Sequence, residues 1–250
     1  MVKAVLQAIP TYSISVFKMP KKLCSDLEAL ISRFWWKNNR TDAGIHWKTW
    51  ELLGSSKDGG GLGFRSMEGF NRAMLAKQGW RLVQRQDSLV AKIFNEKYLK
   101  WQFYTAAKLG RSPSLIWRSL WEVKDVVERG LRWRVGNGRK IQIWDQKWLP
   151  SPISYCVQSP VQVLVVDARV VDLIDEERKE WKVDLISRVF KKEEADMICA
   201  IPISSFGADD RMFWGFSKSG KFTVRSAYHA DVQWKIERKG GSSGGNRDAE

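Results

Sequence analysis

Apolar positions recur along this chain first at helical spacing and then at a spacing of two. From Pro20 to Asn38, Leu23, Leu27, Leu30, Ile31 and Phe34 fall at i, i+4, i+7, i+8 and i+11. That spacing predicts an amphipathic helix with those five side chains on its buried face. Pro20 suits the first helical position, where its missing N–H is not needed. A Gly-rich turn, Gly59-Gly60-Gly61-Leu62-Gly63-Phe64, precedes a second helix from Ser66 to Gln84, with Phe70, Met74, Leu75, Trp80 and Leu82 as its apolar positions. Ser88 is an N-cap for a helix running to about Leu99. Pro113 opens another, with Leu115, Ile116, Leu120, Val123 and Val127 on its apolar side.

The period then changes. Leu131, Trp133 and Val135 alternate with Arg132 and Arg134. Gly136-Asn137-Gly138 follows, and Ile141 and Ile143 alternate with Lys140 and Gln142. Asn-Gly between two alternating runs predicts a β-hairpin with Arg132, Arg134 and Lys140 on its outer face. Pro150 and Pro152 mark a boundary. Beyond it lie a short apolar run, Val161 to Val166, and acidic helical segments around Trp181 to Phe190 and Glu193 to Ile201. A second alternating pair, Met212 to Phe216 and Lys221 to Arg225, flanks the turn Ser217-Lys218-Ser219-Gly220. The fold class expected is α+β: a mostly helical N-terminal part, two small antiparallel β-hairpins and a disordered C-terminal tail. The segments are 1–150, a basic region; 151–211, a linker with acidic helices; 212–238; and the Gly/Ser-rich tail, 239–250.

Charge sharpens this division. Of the 250 residues, 42 are Lys or Arg and 28 are Asp or Glu, a net of +14. Residues 1–150 hold 27 basic and 12 acidic side chains, whereas residues 151–250 hold 15 and 16. A net of +15 against −1 points to a polyanion, either nucleic acid or an anionic membrane. No run of 18 apolar residues exists to span a membrane, and the opening stretch, broken by Pro10, Thr11, Tyr12 and Ser13, lacks the core of a signal peptide. An intracellular location, cytoplasm or nucleus, is expected. Cys24, Cys156 and Cys199 are odd in number and far apart, and His46 and His229 are the only histidines, so neither a disulfide framework nor a zinc spacing is present.

Candidate chemistry is sparse. The Gly-rich turn lacks the Gly-Lys-Ser/Thr ending of a phosphate loop and the third glycine of a dinucleotide loop. Asp209-Asp210 has the adjacency of polymerase metal ligands. It lies before a predicted strand rather than at a hairpin tip, so a solvated turn or a helix cap is the expectation. Cysteine–histidine pairs such as Cys199 with His229, or Cys156 with His46, have no feature that would activate the thiol. The strongest signal is the interleaving of 14 tryptophans with cations, as in Trp35-Trp36-Lys37, Trp80-Arg81, Trp117-Arg118 and Arg132-Trp133-Arg134. Cations neutralise phosphates and exposed aromatic rings stack on bases, although tryptophan also fills cores.

Several blocks resemble one family in order: Val5-Leu6-Gln7-Ala8-Ile9-Pro10-Thr11-Tyr12, Phe34-Trp35-Trp36, Ile45-His46-Trp47 with Trp50, Gly60-Gly61-Leu62-Gly63-Phe64, and Asn71 to Arg81. Pro113-Ser114, Ile116-Trp117-Arg118-Ser119, Gly130 to Gly138, Ile143-Trp144 and Trp148-Leu149-Pro150 continue the series. Together they are similar to the region downstream of the polymerase palm in plant LINE-type (non-LTR) retrotransposon reverse transcriptases. Phe213-Trp214 with Ser219 to Tyr228 resembles the start of that family's zinc-binding segment. The resemblance covers about residues 2–230. It implies that the palm with its catalytic aspartates would precede Met1 and that the zinc ligands would follow Trp234. It implies no catalytic residue, metal or cofactor in this chain.

The function expected is therefore non-catalytic: a fragment of an RNA-directed DNA polymerase that keeps part of a template-primer-binding surface. RNA or DNA is the partner expected from charge, with a missing palm domain or polymerase chain as a further one. Arg33, Lys37, Arg40, Lys77, Arg81, Arg118, Arg132, Arg134, Arg139 and Lys140 are the candidate contacts. A polymerase subunit working in trans with a separate palm, and an interaction module with no nucleic-acid role, are the alternatives.

Overall fold

The computed structural model describes residues 5–37, 45–55, 60–100, 103–151, 154–161, 163–204 and 206–241. The architecture is α+β, with ten α-helices and two small antiparallel sheets among those residues. Two compact units form: unit 1 comprises residues 1–129 and 222–250, and unit 2 comprises Gly130–Lys221.

In unit 1 several helices start at a side-chain cap. Helix α1 spans Thr11–Val16. Helix α2 spans Lys21–Trp36, directly after Pro20. Helix α3 is Trp50–Gly54, with the Thr49 hydroxyl accepting from the Leu52 N–H. Helix α4, Met67–Gln84, is capped by Ser66. Helix α5, Leu89–Phe94, is capped by Ser88 and runs on as a π-helical turn to Leu99. The helix predicted from Pro113 is two helices, α6, Leu115–Trp121, capped by Ser114, and α7, Lys124–Gly130. Helix α10, Val224–Gly241, returns to the unit. Each cap joins a side-chain oxygen to an N–H three residues on, a short-range interaction that needs no tertiary partner.

Helix α4 is the centre of unit 1 and touches α1, α2, α6 and α10. It is buried on nearly every side, through Phe70, Ala73, Leu75, Ala76, Trp80, Leu82 and Val83. Two polar side chains on it organise their surroundings. Asn71 is fully buried. Its Nδ2 donates to the carbonyls of Ile14 (2.7 Å) and Phe17 (2.8 Å), and its Oδ1 accepts the Met19 N–H (3.0 Å). A single amide thus satisfies three backbone groups in the chain entering α2. Arg72, also buried, forms a bidentate pair with Asp231 of α10 at 2.9 and 3.0 Å, and its Nη2 reaches both oxygens of Asp125 in α7.

The buried stripe of α2 differs from the predicted one. Cys24 and Ile31 face the core with Leu27 packed against it, while Leu23, Leu30 and Phe34 are 44 %, 56 % and 44 % exposed. On α6, likewise, Leu115 and Ile116 face outward and Trp117 inward. Helical spacing identifies a stripe, but which side of a broad stripe is covered depends on the neighbouring elements.

Unit 2 holds β1 (Leu131–Arg134), β2 (Ile174–Asp175), β3 (Glu180–Trp181), α8 (Val183–Val189), α9 (Lys192–Cys199) and β4 (Arg211–Trp214). Neither predicted hairpin from the two alternating pairs forms. Instead β1 pairs antiparallel with β4, Leu131 opposite Trp214 and Arg134 opposite Arg211, and β2 pairs with β3. Ile141 and Ile143 are fully buried as predicted, but between them Gln142 makes only a single bridge, to Arg169. Of the segment expected as the last strand, residues 221–223 are irregular and Val224 and Arg225 start α10. The core gathers Trp133, Val135, Ile141, Ile143, Trp148, Leu149, Leu173, Ile186 and Ile198. Of the tail, residues 239–241 belong to α10 and 242–250 lie outside the described residues.

Candidate nucleic-acid interface

The structural units redistribute the charge. Unit 1 carries 27 basic and 15 acidic side chains, a net of +12, and unit 2 a net of +2. Two exposed cations of unit 1 lie on α4. Because that helix is buried all round, it exposes a single narrow stripe, Lys77, Arg81 and Gln84 at i, i+4 and i+7, with exposed Arg85 at its end. Arg81 Nη1 donates to Gln78 Oε1 (3.3 Å). Among the described residues no carboxylate pairs with Lys77, Arg81, Arg118 or Arg33. All four are exposed, as is Lys37 one turn after Arg33 on the α2 side. Arg40 lies outside the described residues.

The predicted basic ridge of unit 2 is not one. Arg132 is buried, with its guanidinium 3.8 Å above the Tyr155 ring, 6.0 Å from Phe216, and its Nη1 donating to the Leu131 carbonyl. Burial pushes its pKa below the ordinary arginine value, partly opposed by Tyr155. Alternation correctly puts Trp133 and Val135 inside, but on the opposite face the Arg132 position is also covered. Arg139 is held by Glu176 (2.7 Å) and Lys140 by Asp209 (2.7 Å), so both cations are already neutralised. The hydrogen bond from Arg139 holds Glu176 below the usual carboxylate range, and that from Lys140 does the same for Asp209. Both pairs contribute above the unfolded carboxylate pKa and are lost as pH falls through the depressed values. Arg134 remains exposed, opposite Arg211 in the sheet and 5.9 Å from the Phe213 ring. Arg132 and Arg134 are therefore not equivalent. Arg132→Glu is expected to destabilise the protein by about 2–3 kcal/mol, because it buries a carboxylate in place of a stacked cation, and Arg134→Glu to cost within about 0.5 kcal/mol. Urea titration of the two single variants measures both.

Asp209 is exposed, but Asp210 is neither a solvated turn nor a helix cap. Asp210 is 5 % exposed, and its Oδ1 accepts the N–H groups of Gly136 (2.7 Å) and Gly138 (2.9 Å), its Oδ2 that of Lys140 (2.8 Å). Asp209 accepts from Asn137 Nδ2 and Lys140 Nζ. The Gly136-Asn137-Gly138 loop is thus a nest of backbone donors closed on an internal carboxylate. Gly138 sits at φ +72°, and a Cβ on Gly136 would come 2.2 Å from the Ala208 carbonyl oxygen, so the loop requires glycine at both places. Both aspartates hold the loop with their carboxylate oxygens. Among the described residues no group of three or more His, Cys, Asp or Glu side chains could hold a metal ion.

Most tryptophans are structural. Trp117 and Trp214 are fully buried, and Trp80, Trp133 and Trp148 are 8 % exposed or less, whereas Trp35 and Trp47 are 42 % and 75 % exposed. Trp117 stacks on Tyr98 at 4.9 Å, and Trp234 carries Arg129 and Arg238 over its ring. The sequence reading missed the Arg72–Asp231 clasp, since its partners are 159 residues apart. No helix among the described residues is long and apolar enough to cross a membrane.

No family model matches the chain, and neither does any solved structure. It is 34 % identical over 143 residues to the Arabidopsis thaliana "Uncharacterized mitochondrial protein AtMg00310", covering 57 % of this chain and 93 % of that protein. The chain belongs to the family of that plant protein. Within this family setting, a second Arabidopsis thaliana relative is described as "Putative ribonuclease H protein At1g65750". It is 30 % identical over 234 residues, which cover 90 % of this chain but 37 % of the relative. The chain thus spans little more than a third of that protein's length.

Proposed function

We propose that this chain is a nucleic-acid-binding segment of a plant retroelement polymerase protein, binding template-primer through unit 1 and contributing no polymerase chemistry itself. The observation that carries this reading is the cationic stripe of α4. A helix buried on nearly every other side presents Lys77 and Arg81 to solvent with no carboxylate paired to them among the described residues, in a unit of net charge +12. The resemblance of the sequence blocks to the post-palm region of LINE-type reverse transcriptases and the nucleic-acid enzyme named in one relative's description support it. The roles of Asp209 and Asp210 as loop anchors support the non-catalytic part.

The expected result is binding to an RNA–DNA hybrid whose log affinity falls linearly with log salt. Lys77→Glu with Arg81→Glu should weaken binding at least tenfold and lower the slope by about two phosphates' worth, at about 0.9 per phosphate on a B-form duplex. Salt-independent binding, or a double variant that binds like wild type, would falsify this interface.

A second reading, in which the segment acts beside a palm-bearing chain, is favoured by one feature. Ile9 and Tyr12 are 73 % and 82 % exposed, and Leu23, Leu30 and Phe34 form an uncovered stripe on α2. Primer extension with magnesium by a palm-containing chain, with and without this protein, tests it.

A further inference from the structure

Between the first turns of α4 and α10 in unit 1 lies a cavity of about 380 Å³. Its floor is Phe70, Met74, Val224 and the Tyr228 ring, and Arg65, Arg225 and His229 stand around it. Among the described residues no carboxylate lines it. The ring of Tyr228 is held in place from behind: its hydroxyl accepts the Ser66 N–H (3.0 Å), and Gly69 lets α4 approach so closely that a Cβ there would lie 2.9 Å from a ring carbon. The Arg65 guanidinium lies 4.9 Å over the Phe70 ring, which keeps its planar face beside the floor. Val224 and Arg225 are the first two residues of the 18-residue helix α10, where Thr223 Oγ1 accepts the Ser226 N–H (3.0 Å).

These features call for one kind of occupant. A volume of this size is at the low end of small-ligand sites, which run from about 300 to 1,000 Å³, so a duplex or a protein helix is too large. An apolar floor with an aromatic ring suits a flat heterocycle, and two arginines with a histidine suit a phosphate. We propose that the cavity binds one nucleoside monophosphate unit of single-stranded nucleic acid, with the base against Tyr228, Met74 and Val224 and the phosphate between Arg65 and Arg225. The assignment rests on the nucleic-acid reading above and gives it a specific contact: a strand end or an unpaired nucleotide is captured here, apart from the backbone contacts of α4.

The chain's two histidines provide the test. His229 lines the cavity, whereas His46 lies against Trp36, with ring centroids 6.3 Å apart. Titration of the full chain with 5′-AMP, followed by imidazole proton resonances, should shift His229 saturably and leave His46 unmoved. Inorganic phosphate should produce a weaker response. Val224→Trp, which fills the cavity without changing charge, and the exposed pair Arg65→Ala with Arg225→Ala should each weaken 5′-AMP at least tenfold. A labelled single-stranded oligonucleotide titrated at several salt concentrations forms the second arm. No saturable response at His229, equal responses at both histidines, or 5′-AMP affinity unchanged in the arginine pair overturns the cavity assignment, even if the oligonucleotide still binds. A His229 response to 5′-AMP with no salt-dependent oligonucleotide binding overturns the assignment to single-stranded nucleic acid and leaves a free-mononucleotide site only, whereas loss of hybrid binding with both His229 and oligonucleotide responses kept sinks the template-primer reading alone.

Discussion

Asp231→Ala should destabilise unit 1 by about 3–5 kcal/mol, the usual consequence of removing one partner from a buried ion pair. The Asp231 side chain has no exposed surface, and it takes both Nε and Nη2 of Arg72, which is itself nearly buried. Burial works against the charged guanidinium, and the hydrogen bonds from Arg72 to Asp231 are what offset it and keep its pKa raised. With Asp231 gone, Asp125 still reaches Arg72 at 2.8 Å, but that carboxylate is 38 % exposed and is shared with Arg129. The loss should therefore fall in the lower half of the range, and Asp125→Ala should cost only about 1 kcal/mol. The double variant Arg72→Met with Asp231→Leu should recover much of the stability, because it removes both buried charges together. Denaturant titration supplies the double-mutant cycle, and amide exchange should show protection lost in α10 first. A near-neutral Asp231→Ala would mean that the clasp between α4 and α10 contributes nothing to the unit.

Asp210→Ala should cost about 3–4 kcal/mol and act on unit 2, since each buried donor left without an acceptor costs about 1–3 kcal/mol and three are freed at once. Those donors are the N–H groups of Gly136, Gly138 and Lys140. Water can reach the Lys140 end, which is only part-buried, and this keeps the total below the simple sum. Asp210→Asn retains one carbonyl oxygen but turns an amide group toward an N–H, so it should lie between Asp210→Ala and wild type. Asp209→Ala removes only exposed contacts to Asn137 and Lys140 and should stay within about 1 kcal/mol. Hydrogen exchange at residues 136–140 separates these cases. Fast exchange there in Asp210→Ala, with slow exchange kept in Asp209→Ala, is the expected pattern. Equal effects of the two substitutions would show that the nest is held by charge alone and not by the buried acceptor.

What could be read along the chain was what the chain decides locally. Ser66 and Ser88 cap the helices that were expected to start there, because a cap hydrogen bond reaches three residues and forms in any context that leaves the helix intact. The α+β class and the helical character of unit 1 follow from the same short-range periodicity. Lys77 and Arg81 are candidate contacts by charge alone, and it is the packing around α4 that leaves them on its exposed stripe. Trp133, Val135, Ile141 and Ile143 were placed inside because strand residues alternate faces.

Only tertiary structure decided which strands pair, which faces are covered and which charges remain available. Gly136-Asn137-Gly138 has the local signature of a hairpin turn, yet its donors are taken by Asp210, more than 70 residues away, and Leu131–Arg134 pairs with Arg211–Trp214 instead. A two-residue turn signal is worth little against three charge-assisted hydrogen bonds, two of them buried. Alternation separates Arg132 from Trp133 but says nothing of Tyr155, which covers Arg132 and converts a predicted phosphate contact into a buried stacked cation. Arg139 and Lys140 read as free cations until Glu176 and Asp209 are brought beside them. Composition along a chain records how many charges there are. Which of them can meet a phosphate depends on pairings between residues far apart in sequence, and those are set by packing.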